Sequence, residues 1–200
     1  MITSLAEVVA LAFASGLNVY ATIAVLGLAE HYHLVAVPAQ FRAFDHPVVI
    51  GAALAMYLVE FVADKIPWLD SVWDAVHTVV RPLGAALIAV NAMGHATPAS
   101  IALAALLGGA VAMTTHVTKA ATRVAANVSP EPFSNWFLSI AEDVIAISVS
   151  WVALNHPIVA SIVAIVLLAA IVSAAWMIVR WARQRAGRSA SLSGERRSLG

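Results

Sequence analysis

The chain has 200 residues, of which 62% are hydrophobic and 11% are charged, and its formal net charge is zero. Soluble domains are close to half apolar and about a quarter charged, so this composition excludes an ordinary water-soluble protein. The balanced charge argues against a nucleic-acid partner. The sequence contains no cysteine, which excludes thiolate catalysis, iron–sulfur clusters and disulfide bonds. The chain is therefore expected to fold within a lipid bilayer.

Charge-free stretches predict six membrane-spanning helices, because each span needs about 20 apolar residues. The first stretch follows a segment without Lys or Arg, which is unlike a cleaved signal peptide and indicates a retained helix. Two long stretches, 82–118 and 144–179, are interrupted by turn residues at 94–98 and 155–157, so each predicts a helical hairpin. The predicted spans are 3–29, 47–65, 70–93, 99–127, 135–154 and 157–182.

The distribution of Lys and Arg predicts the orientation, because these residues are enriched in cytoplasmic loops. Six arginines lie between residue 180, near the end of the sixth span, and residue 197. The C-terminal segment is therefore predicted to be cytoplasmic. An even number of spans then places the N-terminus in the cytoplasm too. Residues 1–185 are expected to form the helix bundle, and residues 186–200 a disordered tail rich in Arg and Ser.

The predicted fold class is all-α, a polytopic membrane helix bundle of about six helices. Six spans divide into three and three, and the second set must then enter the membrane from the opposite side, as in inverted-repeat transporters. Helices one and four are both rich in small residues, and helices two and five each carry two neighbouring acids. Ordinary close packing of small residues explains the first likeness as well, so a 3+3 inverted repeat and an arrangement without a repeat both stay open.

Ionisable side chains of four predicted helices gather in the half of the bundle nearest the cytoplasm. Spacings of three and four residues put those of helix three on one face and those of helix four on another. They are Glu60, Asp64 and Lys65 in helix two; Asp70, Asp74, His77 and Arg81 in helix three; His116, Lys119 and Arg123 in helix four; and Glu142 and Asp143 in helix five.

Six of these side chains are carboxylates and four are cations, so protons or charged forms of His77 and His116 are expected to balance the acidic excess. Arg81 lies about 16 Å into its predicted helix, where an unpaired charge costs at least roughly 2.5 to 3.5 kcal/mol. It therefore needs a buried partner. Pro82 follows directly and predicts a kink in helix three or a freed backbone carbonyl group there. Whether helix three is continuous or broken at Pro82 stays open.

Two interpretations of this group are open: a polar cavity that faces the cytoplasm, which we favour, and a purely structural network of ion pairs. Residues near the membrane edge, among them Asp64, Lys65, Lys119 and Arg123, are expected to extend their charged groups to water. Asn18 and Tyr20 lie in the middle of the first helix, where an interhelical hydrogen bond or a contact to a ligand would explain them.

The candidate binding site contains twelve residues, and no catalytic residue, metal ligand or cofactor is predicted. The site residues are Asn18, Tyr20, Glu60, Asp64, Asp74, His77, Arg81, His116, Lys119, Arg123, Glu142 and Asp143. A small transporter or channel is the leading hypothesis, with Glu142 and Asp143 as proton carriers. The alternatives are a structural or assembly protein and a translocase of lipid headgroups. No sequence motif of an enzyme is found.

The expected partners are the bilayer and a small solute, an ion or a lipid headgroup, with no nucleic acid, and a homo-oligomer is left open. Several polar segments together resemble one family: 15–20 (SGLNVY), 59–82 (VEFVADKIPWLDSVWDAVHTVVRP), 116–136, and the pair Glu142 and Asp143. These segments are similar to bacterial membrane proteins of the domain of unknown function 4126 family. The resemblance covers nearly the whole chain apart from the Arg-rich tail. It implies a multi-pass protein of the bacterial inner membrane and implies no activity.

Overall fold

The computed structural model describes residues 2–127 and 133–198, and every regular secondary-structure element within them is a helix. The helices are α1 (Ile2–His31), α2 (Pro47–Ala63), α3 (Pro67–Met93), α4 (Pro98–Asn127), α5 (Phe133–Asn155) and α6 (Pro157–Ser198), with a short 3-10 helix (Ala39–Phe44) between α1 and α2. Four of them begin at a proline, which suits the first helical position because the N–H there has no partner within the helix. The observed bounds agree with the predicted spans to within three residues, except at the end of α6.

The far end of α6 differs from the sequence prediction. The helix continues to Ser198, beyond residue 182, where the sequence predicts the end of the sixth span. No proline follows Pro157 in the sequence, and extending an existing helix adds one hydrogen bond per residue without a new nucleation step. The span therefore continues as a helix through residues 186–198.

The backbone of α1 is interrupted at its centre. Asn18 has φ −154° and ψ 101°, an extended conformation, so α1 consists of two helical arms, 2–17 and 19–31. The first arm has 16 residues and is about 24 Å long. The second arm leads into the connection that carries the 3-10 helix.

Both arms of α1 lead to the same end of the bundle. Ser4 lines one cavity with Gln40 and residues 90–95, and Thr3 lines another with residues 155–159. The second arm packs beside the start of α2, where Gly27 touches the backbone oxygen of Phe44 and the side chain of Ile50. We call this end, which holds residues 32–46, 94–97 and 156, the loop end. The opposite end, which holds the turn 64–66, is called the charged end.

The first helix is therefore re-entrant: it enters from the loop end, turns at Asn18 and returns. The prediction that it crosses the bundle is wrong, because length and composition cannot reveal a reversal in the middle of an apolar segment. Five helices are long and apolar enough to span a membrane, and α1 is one of them. The helix α2, with 17 residues, lies at the short limit for a span.

This reversal changes the predicted placement of the termini. The first residues of α1 lie at the loop end, while α6 starts at the loop end and leads away from it. The described start and end of the chain are therefore on opposite ends of the bundle rather than on the same side. The prediction of two cytoplasmic termini assumes a complete crossing by the first helix, and the side of the membrane on which each terminus lies stays a prediction.

The re-entrant helix occupies the centre of the bundle. In its most apolar window 78% of the residues are buried, against 11 to 39% in the other four long helices. Two glycines, which lack a Cβ atom, allow the neighbouring helices to approach closely. A Cβ atom at Gly16 would lie only 2.6 Å from the Cβ of Thr115, and one at Gly84 only 2.6 Å from the Val19 side chain. Small residues at these positions let α3 and α4 pack directly against the turn at Asn18.

The sequence leaves open whether helix three is continuous or broken at Pro82, and the structure shows a continuous helix, while the inverted repeat is not confirmed. The helix α3 runs continuously from Pro67 to Met93 with Pro82 inside it, since membrane helices tolerate proline when neighbours satisfy the freed backbone group. The interruption lies in α1 instead. Helices one and four, which resemble each other in their content of small residues, differ in structure: α1 is interrupted at Asn18, whereas α4 is one unbroken helix.

The re-entrant topology predicts a labelling pattern, and the natural absence of cysteine makes it accessible to single-cysteine variants. In sealed vesicles of uniform orientation, Thr3→Cys and His95→Cys should react with a membrane-impermeant maleimide from one side. Trp68→Cys, at the charged end, should react from the other side. Joint labelling of Thr3→Cys and Trp68→Cys from one side would show that α1 crosses the membrane.

Candidate functional site

The interruption of α1 leaves backbone carbonyl groups at the end of its first arm without helical partners. Two buried cations bind them: Arg81 Nη1 donates to the oxygen of Gly16 at 3.1 Å, and Lys119 Nζ donates to the oxygen of Leu17 at 3.1 Å. The C-terminal end of a helix carries partial negative charge, so cations stabilise it. The end of the first arm is thus fixed to α3 and to α4.

Asn18 caps the start of the second arm by binding one of its free backbone N–H groups. Its Oδ1 accepts a hydrogen bond from the backbone N–H of Ala21 at 2.8 Å, as an N-cap residue does. Its Nδ2 donates to Asp143 Oδ1 on α5 at 2.9 Å. The sequence left an interhelical bond and a ligand contact open for Asn18, and the interhelical bond is present. One amide therefore caps a helix and binds a buried carboxyl group.

Arg81 connects α1, α2 and α4. Its Nη2 donates to Glu60 Oε1 at 2.6 Å, its Nη1 lies 2.7 Å from His116 Nδ1, and Asp74 Oδ1 is 3.9 Å away. A guanidinium group can only donate, so His116 Nδ1 must accept and the imidazole is neutral. Its other nitrogen faces the backbone oxygen of Asp74 at 3.1 Å. A charged His116 therefore does not balance the acidic excess, contrary to one of the two expectations.

His77 and Tyr20 form a separate contact beside the arginine. His77 Nδ1 lies 2.8 Å from the backbone oxygen of Trp73, so this nitrogen donates, and Nε2 lies 3.1 Å from the hydroxyl group of Tyr20. The Tyr20 hydroxyl can donate to a neutral imidazole or accept from a charged one. The geometry is compatible with both protonation states of His77.

The two cations of α4 bind carboxylates from α2 and α5. Lys119 Nζ lies 3.2 Å from Asp64 and 3.4 Å from Glu142. Arg123 pairs with Glu142 at 2.6 Å and with Asp64 at 2.9 Å, and it also binds Asn135 Oδ1 at 3.0 Å. These bonds join α2, α4 and α5 near the charged end.

We call this group of contacting residues the charge cluster. Its ionisable members are Glu60, Asp64, Asp70, Asp74, His77, Arg81, His116, Lys119, Arg123, Glu142 and Asp143, and each is at most 9% exposed. The expectation that Asp64, Lys119 and Arg123 extend to water is therefore wrong, because their charges are satisfied by one another inside the bundle. Asn18 and Tyr20 border the cluster, so all twelve predicted site residues lie in it or beside it.

Lys65 does not belong to the charge cluster. Its Nζ lies 3.0 Å from the centre of the Phe61 ring and 2.9 Å from the backbone oxygen of Phe61. The cluster thus holds three cations, Arg81, Lys119 and Arg123, against six carboxyl groups. The acidic excess is larger than the sequence analysis expects, where Lys65 counts as a fourth cation.

Among the described residues, a cavity lies at the edge of the cluster, where the sequence analysis favours a polar cavity. A cavity of about 210 Å³ lies between α3 and α4, and Asp70, Asp74, Thr78 and Arg123 are among its lining residues. Asp70 is itself 3.6 Å from Arg123. Most members of the cluster are buried against each other, so within the described residues the site combines a buried ion network with a small cavity at its edge.

Sequence reasoning missed three features of this site. Asn135 binds both Arg123 and the backbone oxygen of Asp64 at 3.0 Å, and no pattern in the sequence marks it. The carbonyl groups of Gly16 and Leu17 act through the backbone and leave no residue signal. The sequence Gly16-Leu17-Asn18 inside an apolar helix was the available sign of the interruption, because Gly and Asn favour non-helical conformations.

The fold and the site define a class: a multi-helix membrane protein with a re-entrant helix and a buried charge cluster. The model of the family described as domain of unknown function (DUF4126) matches residues 5–177, so the chain belongs to this family, as the polar segments of the sequence indicated. No match was found among curated proteins or among solved structures.

Removal of Arg81 should destabilise the bundle strongly. In Arg81→Met, Glu60 and the backbone oxygen of Gly16 lose their donor inside the protein, and breaking a buried pair costs about 3 to 5 kcal/mol. Thermal unfolding in detergent micelles should show this loss, and the double variant Glu60→Gln with Arg81→Met should recover part of it.

Arg42→Met is the matched control, because Arg42 is 73% exposed and lies 3.6 Å from Glu30. An exposed pair contributes about 0 to 1 kcal/mol, so its unfolding should change little. Equal effects of the two substitutions would contradict the assigned role of Arg81.

Proposed function

We propose that the chain is a small membrane transporter or channel, coupled to protons, whose site is the charge cluster at the turn of α1. The single observation that carries the proposal is the interrupted helix inside the bundle, with both sides of the break bound to buried ionisable groups. Discontinuous helices of this kind form substrate and ion sites near the membrane centre in transporters. Irregular backbone at membrane depth is tolerated where protein groups or a cavity satisfy it.

The acidic excess of the cluster supports a proton or another cation as the transported or coupling species. With three cations for six carboxyl groups, ionisation of all six would leave three negative charges without a cation when His77 is neutral, and two when it is charged, among groups that are mostly buried. Such charges are costly. Uptake of protons, or of a cationic solute, would relieve that cost.

Of the two acids proposed from the sequence as proton carriers, Asp143 fits the role better than Glu142. Glu142 contacts both Lys119 and Arg123, so two cations already face its carboxyl group. Asp143 is 4% exposed and forms no ion pair among the described residues, and its Oδ2 has no hydrogen-bond partner there. A buried carboxyl group without a cation is the one that most readily holds a proton.

Protonation of Asp143 would act directly on the turn of α1. A charged acceptor makes a hydrogen bond roughly twice as strong as a neutral one, so a neutral Asp143 would hold Asn18 less firmly. The same Asn18 side chain caps the second arm. A proton on α5 would thereby loosen the joint between the two arms, which offers a physical route from protonation to a conformational change.

A structural or assembly role is the second candidate, and a specific observation favours it. The three cations of the cluster are all paired, and most of the cluster is closed. In that case the charges serve only to hold six helices together or to dock a partner. A translocase of anionic lipid headgroups is less well supported, since the cavity between α3 and α4 presents Asp70 and Asp74.

Proton flux into liposomes that contain a pH-sensitive dye separates the two candidates. With an imposed pH gradient or with a panel of cationic solutes, the wild-type protein should change the internal pH. Asp143→Asn keeps the size and the hydrogen-bonding capacity of the side chain but removes the titratable group, so it should lose most of this flux while its unfolding temperature stays close to that of the wild type.

Asp45→Asn is the control, because Asp45 lies at the loop end and bonds to His31 at 2.9 Å, outside the charge cluster. Its flux should equal that of the wild type. If the wild-type protein moves neither protons nor any tested solute, or if Asp143→Asn keeps full flux, the transport proposal fails and the structural role is favoured.

A further inference from the structure

Glu7 is a buried acid outside the charge cluster, and the sequence analysis assigned it no role. It lies in the first arm of α1, is 7% exposed, and makes no hydrogen bond or ion pair among the described residues. Its Oε2 is fully buried without a partner. A glutamate in such surroundings is far more stable as the neutral acid than as the anion.

The position of Glu7 connects it to the loop end. Thr3 and Ser4 precede it by one helical turn, and each of them lines a cavity that lies at the loop end. The cavity at Ser4 has a volume of about 570 Å³, and the cavity at Thr3 about 240 Å³. Glu7 therefore lies one turn below two openings in the bundle surface.

Glu7 is separated from the charge cluster by an apolar layer. It precedes Asn18 by eleven residues, which is three helical turns or about 16 Å, so both project from similar faces of the first arm. Leu11 and Ala14 lie between them and are fully buried. A proton on Glu7 would consequently exchange with the loop end and not with the cluster.

Few charged groups face Glu7 from the surrounding helices. The helices α3 to α6 contribute no Asp, Glu, Lys or Arg to their loop-end halves, since 82–118 and 144–179 lack them, and α2 has none before Glu60. The remaining titratable groups at the loop end are His95 and His156 at the two openings, the pair Arg42 and Glu30, and His31, His33, Asp45 and His46 of the connection after α1. Among the described residues no Lys, Arg or His forms an ion pair with Glu7, and the N-terminal amino group is the cation that acts on it electrostatically, more weakly than its burial does.

We propose that Glu7 is a proton-binding site that opens to the loop end and is distinct from the charge cluster. Its ligand is a proton exchanged with water through the cavities at Thr3 and Ser4. Its place in a transport cycle rests on the proposed function, in which Glu7 and Asp143 would take up protons on either side of the apolar layer. Its protonation does not depend on that function.

Modification by dicyclohexylcarbodiimide tests the proposal, because this apolar reagent reacts with protonated carboxyl groups in apolar surroundings. The full-length protein in lipid nanodiscs is treated, and the labelled peptides are identified by mass spectrometry. Glu7 should be labelled strongly at about pH 6, where an ordinary exposed glutamate is almost fully ionised, and the yield should fall at about pH 9. Glu7→Gln should lose this label, whereas Glu30→Gln, in the second arm of the same helix, should keep it.

A cysteine variant tests access from the loop end. Glu7→Cys should react with a small membrane-impermeant thiol reagent from the side that labels Thr3→Cys. Reaction only from the opposite side, or no reaction from either side, would overturn the assignment to the loop end. An unlabelled Glu7 at both pH values, or equal labelling at both, would overturn the proton site.

The failure of this proposal is distinguishable from failure of the transport proposal. Labelling at Glu7 together with an absence of flux leaves the proton site in place and removes the transport function. Flux that depends on Asp143, without labelling of Glu7, removes the proton site at Glu7 and leaves the transport function in place.

Discussion

The structure depends on one constraint: a polypeptide backbone that is interrupted inside an apolar medium must find partners for its freed polar groups. In α1 these groups lie at the centre of the bundle, where water is too far away to solvate them. Arg81 and Lys119 bind the carbonyl end of the first arm, and Asn18 caps the second. The cations needed at the turn then require carboxylates around them, and those carboxylates come from α2, α3 and α5. The charge cluster and the re-entrant helix are therefore parts of one solution.

This coupling explains why polar residues from so many helices meet at one depth. A buried ion pair gains little over an apolar contact and costs much when one partner is lost. Retention of the network at this cost is consistent with a requirement for one defined position of the turn in α1, since bonds to three helices fix that position. The acidic excess is not needed to hold the turn. It is the feature of the cluster that a purely structural account leaves without a purpose.

The two ends of the bundle differ chemically, and the re-entrant helix connects them. At the charged end, the ion network reaches a small cavity beside Asp70 and Asp74. At the loop end, Thr3 and Ser4, one helical turn before Glu7, line two cavities, and the buried apolar residues Leu11 and Ala14 lie between Glu7 and the cluster. Protonatable groups on both sides of an apolar layer would suit the transport cycle proposed above. The first arm of α1 carries Glu7, and its carbonyl end binds Arg81 and Lys119 of the cluster. A movement of this one segment would therefore affect the groups on both sides of the layer.

The sequence by itself determined the class, the family and the helices, because charge-free lengths and prolines mark membrane helices with little dependence on packing. It also identified the polar side chains of the cluster, since spacings of three and four residues place side chains on one helical face. Only the tertiary structure decided that α1 turns back, that Lys65 lies apart, that His116 is neutral and that Glu7 is isolated. These features depend on which atoms meet across helices, and an apolar segment with one Asn at its centre has the same composition whether it crosses the bundle or reverses within it.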